Sequence, residues 1–415
     1  MPYLSKQALS GLKHYHYKPG GYTILDNWHQ PLWNYAVSCL PTWLAPNVIT
    51  LIGLSSVMVA NLISAYYSPD FQNPVPTWVY FAMAFAGFFY LHMDCLDGKQ
   101  ARRTGSSSPL GQLFDHGCDS LVVQLVVSQL MVSLGMSPDW RLVLGNLVVF
   151  TPFVLAHWEE YHTGHMVYGN GLWGVTEANY AVVLLHAAAG VLGPGFWART
   201  PLAGVAARLA LTPAVASRLP AGLLPGLARL PLNACAVLAL GGMGCLMVGE
   251  QLGRVFFPCP RLAAERAAAA AEAGDHRQFG RGVAASHLAQ IASTLGLGAA
   301  LVALPAGAGG PVRLRMAAFG TAYALQLTRL IMAHMAKEPF RVAGWPLAAM
   351  GLQVANGLLP GAGPRLRPAP LAAAVAAVVV AGYIHYVVSV IREVCAYLGI
   401  RALTITPKLE AGKAA

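Results

Sequence analysis

Apolar residues run along this chain in long blocks separated by short polar stretches, with no strand-like alternation of period two. Ten of the blocks, at about 47–67, 76–93, 117–136, 140–157, 179–195, 230–252, 287–306, 316–335, 345–360 and 370–398, come near the roughly 20 residues that a helix needs to cross a bilayer core. The fourth, ninth and tenth have the softest edges. The pattern predicts an all-α, polytopic integral membrane protein of about ten transmembrane helices. It divides into an N-terminal segment 1–46, a transmembrane core 47–257, a linker 258–286, a second helical group 287–400 and a tail 401–415. Segment 1–46 mixes lysines with Tyr and Trp, which suits an amphipathic element at headgroup level. No short apolar segment with a cleavage site precedes residue 47, so no removable signal peptide is expected.

Composition agrees: 56% of the 415 residues are hydrophobic and 11% charged, against about 25% charged in soluble domains, and mean hydropathy is +0.52. A net charge of +10 invites a nucleic-acid reading. The sequence has no basic helix, zinc pattern or aromatic RNA-binding box to support one. Orientation explains the charge better. With the termini inside, all seven lysines fall on one side, and the positive-inside rule makes that side cytosolic. The seven cysteines form no CxxC and are odd in number, so neither a disulfide framework nor a zinc site is indicated. Small residues at 296–308 and 372–382 permit close helix contacts, within the chain or across a homodimer.

One stretch departs from this plan. Residues 94–119, DCLDGKQARRTGSSSPLGQLFDHGCD, set four aspartates between two apolar runs. Asp94 and Asp97 share a face at the end of one predicted helix. Gly111, Asp115 and Asp119, stepping by four, share a face at the start of the next. Thr104 to Pro109 has the composition of a turn. The carboxylates then face one another at matched depths, Asp97 with Asp115 and Asp94 with Asp119. Two such charges about 5 Å apart repel by roughly 3 kcal/mol at an effective dielectric of 20, so the set needs a cation or raised pKa values. Hard oxygen donors select Mg²⁺, with Mn²⁺ as a substitute. Two ions bridged by the four acids would clamp a phosphoryl group. Gly98 and Gly111 leave room for close backbone approach, and Arg102 offers a forked donor to phosphate oxygens. An intramembrane acid cluster is costly and usually functional.

The skeleton DxxDGxxARx8GxxxDxxxD resembles the signature of the CDP-alcohol phosphotransferases. The fuller string DGKQARRTGSSSPLGQLFDHGCDS is similar to the eukaryotic choline and ethanolamine phosphotransferase branch, as are residues 45–50 and Val175-Thr176-Glu177. The resemblance is carried by residues 1 to roughly 195; the Ala-rich remainder matches mainly in hydropathy. It implies transfer of phosphocholine or phosphoethanolamine from CDP-choline or CDP-ethanolamine to diacylglycerol, releasing CMP, in the endoplasmic reticulum or Golgi with the site open to the cytosol. It also implies that the first six helices carry catalysis. Direct displacement is preferred, because no Ser, Cys or Asp stands apart as a covalent nucleophile.

For the proton acceptor, His116 has an unperturbed pKa near working pH, and the corresponding histidine is the proposed acceptor in the branch that this chain resembles. Asp119 is an alternative. Glu177 could assist the base, hold the cationic headgroup or simply favour a helix start. Asn47 is expected either to bond the nucleotide, as the resemblance implies, or to cap a helix. Ala101 and Gln112 are carried over as pocket-lining neighbours. The run HWEEYHTGH, with His157, Glu159, Glu160, His162 and His165, closes no ligand set and reads as an interfacial loop. Two other functions fit less of the pattern: a CDP-diacylglycerol-dependent phosphatidyltransferase, and a polytopic transporter using the aspartates as an ion site.

Overall fold

The computed structural model describes residues 2–13, 15, 19–167, 169, 171, 173–203, 229–258, 280–359 and 366–405. Most of the predicted linker 258–286, much of the stretch 196–229 between the fifth and sixth blocks and most of the tail 401–415 lie outside the described residues. All ten predicted blocks form helices. They are α3 (Pro46–Tyr67), α4 (Thr77–Arg103), α5 (Pro109–Ser133), α6 (Trp140–Thr163), α7 (Val175–Leu192), α9 (Leu232–Phe256), α10 (Arg281–Ala303), α12 (Val312–Ala336), α13 (Gly344–Leu358) and α14 (Pro368–Leu398). Four further helices accompany them among the described residues: α1 (Lys6–Lys13), α2 (Ile24–Cys39), α8 (Pro194–Arg199) and α11 (Ala306–Gly309). Two residues on each side form a small parallel pairing, β1 (Pro19–Gly20) with β2 (Met166–Val167).

Seven of the ten long helices are long and apolar enough to cross a membrane: α3, α4, α6, α7, α9, α10 and α14. Their outward residues are large and apolar, as with Leu62 on α3, Phe85 on α4 and Leu246 on α9, which is what a lipid-facing surface requires. The expected ten thus divide. Helix α13, with 15 residues, reaches only about 22 Å against a core of about 30 Å. Helices α5 and α12 are long enough but too polar. Their packing explains why this is tolerated. Helix α12 is buried along almost its whole length and lies against α5, α6, α10 and α14, so its three arginines and His334 meet protein rather than lipid. Between α5 and α12 the approach is close enough that a Cβ on Gly320 would sit 2.1 Å from the Gln124 side chain, whose Nε2 donates to the Met316 carbonyl at 3.1 Å.

The N-terminal segment is tied down at both ends. In α1, Ala8 and Leu12 are buried against α12 and α14, and the Tyr3 and Leu4 amides donate to Glu393 at 2.8 and 2.9 Å. Helix α2 opens on a reciprocal cap between Thr23 and Asp26. It buries Trp33 and Val37 on Ile49 and Leu96 while Trp28, Leu32 and Tyr35 stay exposed. This is the amphipathic pattern expected of the segment.

Candidate active site

The α4–α5 hairpin builds the site, and its turn is written in local chemistry. Helix α4 ends in a left-handed Gly105 (φ 63°), a conformation that costs glycine nothing. The Ser106 and Gly105 amides close back on the Ala101 and Arg102 carbonyls at 2.9 and 3.3 Å, satisfying end groups that the helix itself cannot. Helix α5 then starts at Pro109, capped by the Ser108 hydroxyl, which accepts from the Gly111 amide at 3.2 Å. These two ends set the facing of the aspartates.

Asp94, Asp97 and Asp115 come together, with one carboxylate oxygen from each within 4.8 Å of the others. Thr50 on α3 donates to Asp97. Asp115 Oδ1 is buried and has no hydrogen-bond partner among the described residues. Three crowded carboxylates, one with an unengaged buried oxygen, repel by about 3 kcal/mol per pair at moderate dielectric, and the all-oxygen donor set fits a hard divalent cation. Asp119 lies one turn further along α5, outside this group of three, and its carboxylate accepts from the Tyr90 hydroxyl.

Around this cluster the predicted residues fall into distinct places. Gly98 makes space for a folded-back Arg102, whose Nη1 would lie 3.5 Å from a Cβ there. Arg102 itself donates to no acceptor among the described residues. Its neighbours are spent on α2: Lys99 on Gln30 and Asn34 at 2.6 and 2.8 Å, and Arg103 on the Val37 and Leu40 carbonyls, both at 2.7 Å. Ala101 is half-buried in the last turn of α4. Gly111 sits against Asn47, whose Oδ1 would lie 3.8 Å from a Cβ at that glycine. Both ends of the Gln112 amide are buried without a partner among the described residues.

Asn47 is not the helix cap that the sequence allowed. Pro46 already occupies the first helical position and Ala45 the cap, so the Asn47 side chain is released to donate from Nδ2 to the Ala402 carbonyl at 2.8 Å. Glu177 does serve the start of α7, its Oε2 accepting from the Gly174 amide at 2.9 Å, while its Oε1 is buried without a partner.

His116 is 3% exposed, with its Nε2 3.9 Å from Asp115 Oδ2 and its Nδ1 3.0 Å from Nε2 of His157. The expected interfacial loop at HWEEYHTGH is instead the buried end of α6, which runs to Thr163. Within it Glu159 is held by Arg254 at 2.5 and 2.9 Å, and His162 Nε2 lies 3.2 Å from His287 Nδ1. His157, assigned from the sequence to an interfacial loop, stands instead beside the aspartate cluster and against His116. The signal that could have placed it is the i, i+4 face it shares with Phe153 and Tyr161, which continues α6 through the run.

Residues 43–211 match the family model for CDP-alcohol phosphatidyltransferase. The chain is 41% identical over 200 residues to a Dictyostelium discoideum protein described as an uncharacterized CDP-alcohol phosphatidyltransferase class-I family protein 2, a match covering 47% of each chain. It is 39% identical over 205 residues to cholinephosphotransferase 1 of Danio rerio, covering 49% of this chain and 53% of the relative. Human cholinephosphotransferase 1 is 38% identical over 196 residues, covering 47% and 48%. The matches span about half the length of these curated relatives.

Proposed function

With a CDP-alcohol phosphatidyltransferase domain matched across residues 43–211, we propose that this integral membrane protein transfers phosphocholine or phosphoethanolamine from the CDP-alcohol to diacylglycerol. The products are a phospholipid and CMP. The observation that carries the reading is the meeting of Asp94, Asp97 and Asp115 with a buried, unengaged Asp115 oxygen. These three residues, with Asp119, would hold Mg²⁺ or Mn²⁺, which when bound neutralises charge on the diphosphate. Thr50 and Tyr90 orient two of the carboxylates through their hydroxyls. Arg102, uncommitted beside the cluster, donates to phosphate oxygens, and Asn47, Gly98, Ala101, Gly111 and Gln112 line the nucleotide's place. The acceptor hydroxyl attacks phosphorus in line as the bond to CMP breaks. Its proton passes to Nε2 of His116, the nitrogen on the carboxylate side. Glu177 lies outside these hydrogen-bond partners and would meet the headgroup. Lysines gathered on the hairpin side support a cytosolic mouth in the endoplasmic reticulum or Golgi membrane.

The test is radiolabelled headgroup transfer in membranes from cells expressing the chain, with diacylglycerol, Mg²⁺ and either CDP-choline or CDP-ethanolamine. Transfer that chelation stops and Mg²⁺ restores is the expected result, and the ratio between donors fixes the headgroup. No transfer from either donor would overturn the reading.

A further inference from the structure

The geometry points to His157 as a positioning residue that fixes which nitrogen of His116 carries the proton, an inference that rests on the base assigned above. His157 Nδ1 lies 3.0 Å from the Phe153 carbonyl one turn earlier in α6. A carbonyl can only accept, so Nδ1 is the protonated nitrogen of that ring. With the ring neutral, Nε2 of His157 holds a lone pair. That lone pair faces His116 Nδ1 at 3.0 Å, so His116 Nδ1–H is the donor across the gap. The remaining nitrogen of His116, Nε2, therefore carries its own lone pair on the side of Asp115. A backbone carbonyl in α6 thus dictates the tautomer of an imidazole in α5 through one intervening ring.

The surroundings hold this arrangement. His157 and His116 are 2% and 3% exposed, and their rings meet edge-on at 85°, with the Phe153 ring centred 5.1 Å from that of His157. The other tautomer of His116 would place two lone pairs against each other in a buried site and turn an N–H toward the incoming hydroxyl. In that form the ring accepts no proton from the substrate.

The experiment compares His157→Leu and His157→Gln in the full-length protein, with His116→Ala beside them. Headgroup transfer is followed as kcat and KM, and the melting midpoint is recorded in detergent. Glutamine places an amide oxygen where the His157 Nε2 lone pair sits; leucine offers none. The expected result is a kcat at least tenfold lower for His157→Leu with KM for the CDP-alcohol within about twofold, and a kcat for His157→Gln within about threefold of wild type. Equal losses in both variants, or wild-type kcat in both while His116→Ala is inactive, would overturn the positioning role alone. Transfer surviving His116→Ala would overturn both the base and its positioning.

Discussion

Helices α5 and α12 are the two long helices too polar to face lipid, and they lie side by side in the bundle interior, yet the acid-bearing first half of α5 differs from α12 in what its polar atoms meet. On α12 nearly every polar side chain ends on a backbone group. Arg313 donates to the Ser68 carbonyl at 2.6 Å. Arg315, 2% exposed, gathers the Leu301, Val302 and Leu304 carbonyls at the end of α10 through Nη1, with its Nε buried and unpartnered among the described residues. Gln326 pairs with both backbone groups of Ala343 at 2.8 and 2.7 Å, and Thr328 returns to the Ala324 carbonyl at 2.7 Å. On α5, Asp115 Oδ1 and both ends of Gln112 are buried with nothing to bond. Burying an unpaired polar group costs about 1–3 kcal/mol, and α5 carries that cost at the place where a ligand would relieve it. What sets α5 apart is that its unpartnered atoms adjoin the three crowded carboxylates, whereas the one on α12, Arg315 Nε, belongs to a guanidinium already bonded to three carbonyls.

Asp115→Asn separates the two helices most widely. It keeps the shape and removes a charge that is bonded to nothing at Oδ1, so transfer should fall by at least about a thousandfold, about 4 kcal/mol of barrier. The melting midpoint should stay level or rise as carboxylate repulsion is relieved. A large fall in stability would mean that Asp115 belongs with the spent groups of α12.

Tyr90→Phe sharpens the contrast by loosening only the hold on Asp119. Removing such a supporting contact costs about 10–100-fold in metal affinity or activity, and titration with Mg²⁺ should recover most of the lost rate. Arg315→Met should do the reverse. Three carbonyls lose their donor, stability falls by about 2 kcal/mol, and transfer per folded molecule is unchanged. Gln326→Leu is the gentlest case, with about 1 kcal/mol lost in thermal unfolding and no change in the Mg²⁺ dependence.

The hairpin was legible because its information is local. The Gly105 turn, the Ser108 cap and aspartates stepping by three and four all act within a few residues. The ten helical blocks were legible for the same reason, since length and apolarity suffice. What the sequence could not express was enclosure. Nothing local says that α12 is wrapped on all sides, or that α13 stops short, because both depend on neighbours far along the chain. Asn47 shows the same limit. Its place after Ala45-Pro46 suggested a cap, whereas a carbonyl 355 residues away takes its amide. Glu159 read as loop because Arg254, its partner, is 95 residues distant.

The hairpin's compactness also bears on the order in which the molecule is made. Asp94, Asp97 and Asp115 belong to one short stretch joined by a tight turn, so bringing them together closes only a small loop of chain. His157 reaches His116 across 41 residues, and the tie between Asn47 and Ala402 spans 355. Since domains are synthesised from the N-terminus, the carboxylates meet first in the growing chain, the imidazole pair forms once α6 has emerged, and the α3 terminus is fastened last. The carboxylate cluster is in this sense older, in the lifetime of each molecule, than the helices that enclose it.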